Sequence, residues 1–391
     1  MEGKGMVDFD AIRAEFPILD QSVHGHPLVY LDSAATAQKP RCVIDAEADF
    51  YRHDNAAVHR GAHELAARST VAFERARASM ARLVGACADE GGEEIVVTGG
   101  ATAGLNLLAT AFGNASLGRG GSAAARFALH PGDEIMVSKA EHHSVLLPFQ
   151  ELAARTGATL KWLDLDEEGR IRSDMADEVI TERTRVVAVT HVANVTGAIT
   201  DLAPIVRRAH AVGALVVLDA CQSVPHLKVD VHALDVDFAV WSAHKMYGPT
   251  GVGFLYGRRE LLEALPPANF GGSMVELAWM DRPAQYMAPP AKFEAGTQPV
   301  AQVVAAGAAA EWMMAIGMDA IAAHEHEVAA ELLKLGDVDG VRILGPRENR
   351  DRIGTVAFDV DGVHPHDVGQ FIDAQGIAIR VGHHCAQPVH R

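Results

Sequence analysis

The 391-residue sequence predicts an α/β protein. Its large domain has a mostly parallel, seven-stranded sheet between helices, and a smaller α/β domain accompanies it. Two observations carry this reading. From about residue 94 to residue 256, short apolar runs alternate with segments of helical periodicity, the pattern of βαβ units whose strands are buried on both faces. From about Phe293 the texture changes to small-residue and amphipathic helices with short strands between them, as a second unit would require. The expected division is 33–290 for the large domain, with 1–32 and 291–391 forming the smaller.

The elements follow in order. Residues 9–16 read as a short helix and 28–32 as a short strand entering Ser33-Ala34-Ala35-Thr36. Residues 41–52 and 64–84 read as helices, the second with apolar residues at helical spacing. Strand 94–98 ends in Gly99-Gly100-Ala101-Thr102-Ala103-Gly104, a glycine-rich turn into helix 105–112. Residues 113–127 are rich in Gly, Ser, Ala and Arg and read as a mobile surface loop. Strands are expected at 134–137, 159–163, 185–189, 214–218, 236–241 and 252–256, with helices at 147–156 and 202–212. The smaller unit offers helices 297–316, 319–335 and 366–374 and strands 341–344, 355–358 and 377–380. The N-terminal helix is expected to pack with it.

Composition narrows the function classes. The formal net charge is −17, whereas a phosphate backbone needs a basic face, which argues against a nucleic-acid binder. No apolar run reaches the ~18 residues of a membrane span. The start of the chain lacks the apolar core of a signal peptide. Cys42, Cys87, Cys221 and Cys385 lie far apart and form no CxxC, so a cytoplasmic location with reduced thiols is expected. The histidine pairs His324/His326 and His364/His366 are spaced by two, which suits no zinc-ligand helix pair. They read as surface residues, and no metal is expected.

The chemistry centres on Lys245. Strand 236–241 runs into Ser242-Ala243-His244-Lys245, then a Gly/Pro turn and the strand 252–256. A lysine at the rim of a buried sheet can lose its proton and attack a carbonyl, and the hydroxyl and imidazole before it suit a phosphate. Upstream, strand 214–218 ends in Asp219, the place for an acid beside a pyridinium nitrogen. A lone lysine or aspartate at such turns is commonly a surface or capping residue. The two together point to a lysine Schiff base with pyridoxal 5'-phosphate (PLP).

The motifs Tyr30-Leu31-Asp32-Ser33-Ala34-Ala35-Thr36, Ala57-Val58-His59-Arg60-Gly61-Ala62-His63, Glu141-His142-His143, Thr190-His191-Val192-Ala193-Asn194, Phe293-Glu294-Ala295-Gly296-Thr297 and Arg380-Val381-Gly382-His383-His384-Cys385 together resemble the fold-type I PLP enzymes. Within them they resemble the class V aminotransferase family, and most closely its Suf-type (group II) cysteine desulfurases. The resemblance covers nearly the whole chain in order. It implies that Lys245 holds PLP, that Asp219 pairs with the ring nitrogen, that Gln222 bonds the phenolic oxygen and that His142 stacks on the ring. It implies Thr102, Ser242 and His244 as phosphate ligands, with Thr297 reaching the phosphate of the other subunit in a homodimer with shared active sites. Asn194 and His59 would line the substrate pocket, and His143 would support it by packing.

Cys385 would take sulfur from L-cysteine as a persulfide, leaving alanine. Gly382, two histidines and Pro388 flank it, an exposed turn with cationic potential of the kind that favours thiolate. In the resemblance, the short segment from Arg380 to Cys385 marks the group that uses a dedicated acceptor, SufE-like or SufU-like, feeding iron–sulfur cluster assembly. Three departures from the family pattern stand out. Ala101 and Ala103 replace side chains of the phosphate turn, Ala243 stands where glycine is usual, and the chain ends at Arg391, six residues past Cys385. The resemblance implies a further strand and helix there, carrying the arginine that grips the substrate carboxylate; Arg380 is a candidate substitute, although its strand position suits a structural role. Weakened L-cysteine binding is therefore expected. The alternatives are a selenocysteine lyase acting on L-selenocysteine, and a shortened PLP-binding chain that only dimerises or docks a partner.

Overall fold

The computed structural model describes residues 7–86 and 92–391. The readings made for residues 1–6 and for Cys87 lie outside the described residues. Seven strands form the central sheet: Ile95–Thr98 (β1), Glu134–Ser138 (β2), Thr159–Leu163 (β3), Thr184–Thr190 (β4), Leu215–Asp219 (β5), Phe238–Ser242 (β6) and Gly253–Gly257 (β7). Their spatial order is β1-β7-β6-β5-β4-β2-β3. β7 runs antiparallel to both β6 and β1, and every other neighbouring pair is parallel. The reason is local. β6 and β7 are joined by a short connection, which only an antiparallel pair allows, whereas the parallel strands are linked through longer crossovers.

Every residue of β1, β2, β5, β6 and β7 is buried, because helices cover both faces and successive side chains point to opposite sides. Val97, Val216, Leu218, Ala239 and Phe254 pack with Phe73, Met80, Ile205 and Met313 on one face. Val96, Val217, Val240 and Leu255 pack with Leu105, Phe112 and Phe149 on the other.

Helix Val300–Ile316 shares the first of these cores. Its small residues permit close approach: a Cβ on Gly307 would stand 2.6 Å from Ala76 Cβ. Beyond it, helix Met318–Leu333, the antiparallel pair Val341–Leu344 and Ala357–Val360, and helix Pro365–Asp373 form the smaller unit. Strand Ile377–Ala378 pairs in parallel with Val29–Tyr30. The N-terminal helix is Phe9–Arg13, shorter than expected because Phe16 precedes Pro17 and is extended. It packs on this unit, with the Phe9 ring stacked on His324 at 3.7 Å. Backbone bonds from Ile353 to Gly197 and from Ile199 to Asp351, each 2.9 Å, strap the smaller unit to the sheet side.

One expectation is overturned. Residues 113–127 are not a mobile surface loop. Helix Ala101–Ser116 continues through the first four residues of the segment, and Gly121–Ala124 and Ala125–Phe127 form further helical turns. Phe127 is 2% exposed and stacks on Phe112 at 5.7 Å. The glycines that suggested mobility supply left-handed corners at Gly118, Gly120 and Gly121, which let the segment fold back onto the core. Among the described residues no single helix is long and apolar enough to cross a membrane.

Candidate active site

β5 ends at Asp219 and β6 at Ser242, and the turn Ala243–Lys245 follows directly. Asp219 registers against Val240 in the parallel pair. Aspartate and lysine therefore leave the same carboxyl edge of the sheet, where ligand crevices of α/β proteins open. Asp219 is buried, accepts a hydrogen bond from Cys221 N at 2.9 Å, and offers its carbonyl to His191 N at 3.0 Å. Lys245 is half-buried on a turn held by bonds from Met246 N and Gly248 N to Ala243 O, at 3.0 and 2.9 Å.

An anion cradle lies beside them. Helix Ala101–Ser116 opens at Gly100, which has φ 128° and no side-chain cap. Its first-turn amides therefore face outward with the positive end of the helix dipole. Ser242 Oγ accepts from Ala101 N at 2.8 Å, and Thr102 Oγ1 lies 2.7 Å from Ser144 Oγ. A Cβ on Gly253 would come 2.5 Å from Gly100 Cα, so glycine in β7 is what lets the cradle sit this close to the sheet. His244 is pushed down to about 4 by burial and by the Lys245 and Lys39 charges. It would meet a phosphate as a neutral N–H donor, not as a cation.

His142 caps helix His143–Thr156, its Nδ1 accepting from Ser144 N at 3.1 Å. Burial and the Lys245 charge hold its imidazole below the usual histidine range. The ring is thus neutral at pH 7, with the proton on Nε2. His143 does more than pack. Its backbone N donates to Cys385 O at 2.7 Å, and its Nε2 accepts from Gln387 N at 3.2 Å. Asn194 Nδ2 donates to His384 O at 2.7 Å. These three bonds dock the exposed Cys385 turn against the Lys245 edge. His384 and Cys385 both take positive φ, 51° and 57°. The expected cationic potential is smaller than the two adjacent histidines suggest: burial and neighbouring positive charge hold His384 and His390 below the ordinary range.

Arg380 is exposed, 3.7 Å from Asp32, and its charge is felt at both His142 and His384. It lines a groove of about 1570 Å³ between the sheet and the smaller unit, with Asp32, Ala34, Asn194 and His384. His59 and Thr297 make no hydrogen bond to the Lys245 group within the chain. His59 Nε2 is 2.7 Å from Glu74, and Thr297 is exposed three residues after the buried Glu294. The histidine pairs expected at the surface hold no metal-like cluster among the described residues. His364 instead caps helix Pro365–Asp373.

Sequence reasoning missed Glu141 and Ser144. Glu141 is 1% exposed and accepts from Ser138 Oγ and from Thr190 N. It is pushed up to about 8, by burial above all, with Asp219 adding to it. Its place between a buried strand and His142 was a signal.

The residues present fit PLP. Gln222 is buried; its Nε2 donates to Ala34 O at 2.8 Å and carries a second N–H that suits the phenolic oxygen, while its Oε1 has no hydrogen-bond partner. Asp219 suits the ring nitrogen, Lys245 the aldehyde carbon, and the Gly100–Ser242 cradle the phosphate. Residues 29–391 match the family described as aminotransferase class-V. The chain is 50% identical over 388 residues to the probable cysteine desulfurase 2 of Mycobacterium leprae, covering 98% of this chain and 89% of the relative. It is 46% identical to the cysteine desulfurase of Dickeya dadantii, covering 97% and 88%. Two solved structures superpose over 98% of this chain and 90% of their own. The apo cysteine desulfurase of Thermococcus onnurineus gives a TM-score of 0.89 at 34% identity. The Escherichia coli cysteine desulfurase CsdA, in its S-sulfonic acid form, gives 0.85 at 38%. With its fold, its lysine and its strand-end aspartate in place, the chain belongs to the PLP-dependent class V aminotransferase family, alongside the cysteine desulfurases it resembles.

Proposed function

We propose that this protein is a Suf-type cysteine desulfurase that converts L-cysteine to L-alanine and collects the sulfur as a persulfide on Cys385. The observation that carries the reading is the docking of the Cys385 turn. His143 N and Asn194 Nδ2 hold the backbone of His384 and Cys385 against the edge that bears Lys245 and Asp219. A transaminase has no use for a thiol there.

Bound PLP supplies an electron sink for the substrate Cα once its proton is removed. The rest falls to the chain. Lys245 Nζ takes up and returns the proton at Cα. The buried Asp219 carboxylate keeps the ring nitrogen protonated. His142, neutral with its proton on Nε2, covers the site as a hydrogen-bond donor. The Cys385 thiolate attacks the substrate sulfur, the carbon–sulfur bond breaks, and alanine leaves with a proton in place of the sulfur. The substrate carboxylate is assigned to Arg380, which lines the same groove as Asn194 and His384. The reading extends to a homodimer in which Thr297 reaches the phosphate of the partner's site, to His59 as a residue of the substrate pocket, to a cytoplasmic location, and to a SufE-like or SufU-like acceptor that takes the sulfur toward iron–sulfur cluster assembly.

The test is alanine release from L-cysteine by the PLP-loaded chain with a reductant present, alongside Cys385→Ala. Alanine release that depends on Cys385 is the expected result. Unchanged turnover to a keto acid by the Cys385→Ala protein would sink the proposal. The same residues serve selenium, so a competition with L-selenocysteine at matched concentration decides the substrate. Negligible cysteine turnover beside rapid selenocysteine turnover would make the protein a lyase for the latter.

A further inference from the structure

We propose that the buried ion pair Arg77–Glu294 positions the anion cradle at Gly100, and that it does so by completing the open edge of the sheet. The proposal rests on reading that cradle as the PLP phosphate site. β1 is the end strand of the sheet, paired only with β7. An end strand leaves every second N–H and C=O without a ladder partner, and buried groups of this kind need one. Here two side chains supply it. Glu294 Oε1 accepts from Val97 N at 2.7 Å, and Arg77 donates to Ile95 O at 2.7 Å. The two are joined by a forked pair of bonds at 2.6 and 2.9 Å, with both side chains at most 3% exposed. Arg77 also bonds Glu74 at 2.8 Å and lies over the Phe73 ring at 5.1 Å.

β1 leads within two residues into Gly100, the cap residue of the helix whose first turn forms the cradle. The cradle is thus held from two sides. On the inner side Gly253 of β7 packs against Gly100. On the outer side the ion pair fixes the height and tilt of the strand that delivers it. None of these outer atoms touches the cradle, which the pair reaches through β1; Arg77 also bonds Glu74, the partner of His59.

The test compares PLP with pyridoxal, which lacks the phosphate. Apo wild type, Glu294→Gln and Arg77→Lys are titrated with each by absorbance, and the melting temperature of each apo chain is recorded. The expected result is a loss of PLP affinity by about tenfold to a hundredfold, the scale of a small displacement of a positioning element, with pyridoxal affinity nearly unchanged. Equal weakening of both ligands, or of neither, would overturn the proposal, whatever the melting temperature does. If the single variants fail to fold, the double variant Arg77→Met with Glu294→Met restores an apolar core of similar volume, and the same comparison decides. Failure of wild type to prefer PLP over pyridoxal would overturn the cradle reading itself, a separate outcome.

Discussion

Asp219 and Ser242 end strands whose every residue is buried, with ladder neighbours on both sides, and Lys245 stands three residues beyond. Cys385 stands on an exposed turn tied down by bonds to His143 and from Asn194. The two regions share one crevice yet differ in how they are held. The difference follows from their work. A lysine that moves a proton at one carbon must not wander, so it sits where packing fixes it. On the proposed function, a thiol that collects an atom must stay open to solvent, so it sits where a few backbone bonds suffice.

Substitutions on the two sides should therefore separate chemistry from architecture. Lys245→Ala should lower alanine release by on the order of a thousandfold or more and abolish the absorbance of the lysine-bound cofactor. Retained turnover would break the contrast at its strong end. Cys385→Ala should end sulfur transfer while leaving that absorbance in place and stability within about 0.5 kcal/mol, as for an exposed position; a drop in melting temperature would show the turn to be structural after all.

pH offers a third comparison. His191, buried beside Asp219, has its pKa lowered from 6.5 to about 4 by burial. The unfolded chain binds its proton first, so stability is fullest above pH 6.5 and falls as pH drops through 6.5 toward 4, by about 3 kcal/mol in all. His191→Gln should flatten that part of the stability–pH curve in chemical denaturation. His384→Gln on the half-buried turn should flatten it less, and an equal effect would erase the distinction between the regions. The smallest effect belongs to Asn194→Ala. Losing one hydrogen bond to the turn, worth about 1 kcal/mol, should slow persulfide formation roughly fivefold in single-turnover measurements and leave PLP affinity unchanged.

The same contrast explains what could be read in advance. Asp219, Ser242 and Lys245 were legible because each follows a short apolar run, and the end of such a run is the end of a buried strand. The ties of Cys385 were not legible, since His143 and Asn194 are about two hundred residues away and no local pattern marks such a contact. The helix expected from 147 begins at His143, with Pro148 inside it, and the earlier start makes His142 its cap. The segment 113–127 misled in the opposite way, its glycines outweighing the buried Phe127. The Arg77–Glu294 pair lay hidden because charged residues on a helix ordinarily face water.

The parallel pairing of Val29–Tyr30 with Ile377–Ala378 has a meaning for the birth of the molecule. The two strands are about 350 residues apart in sequence, the most distant kind of contact a chain can make and the slowest to close. A ribosome releases the early partner long before the late one exists, at some 5–20 residues per second. The sheet can form during that interval, but the first segment must wait, unpaired, for tens of seconds. Final closure of the molecule is therefore an event of the completed chain. A nascent protein halted before residue 377 should hold a formed sheet and an N-terminal segment open to a protease.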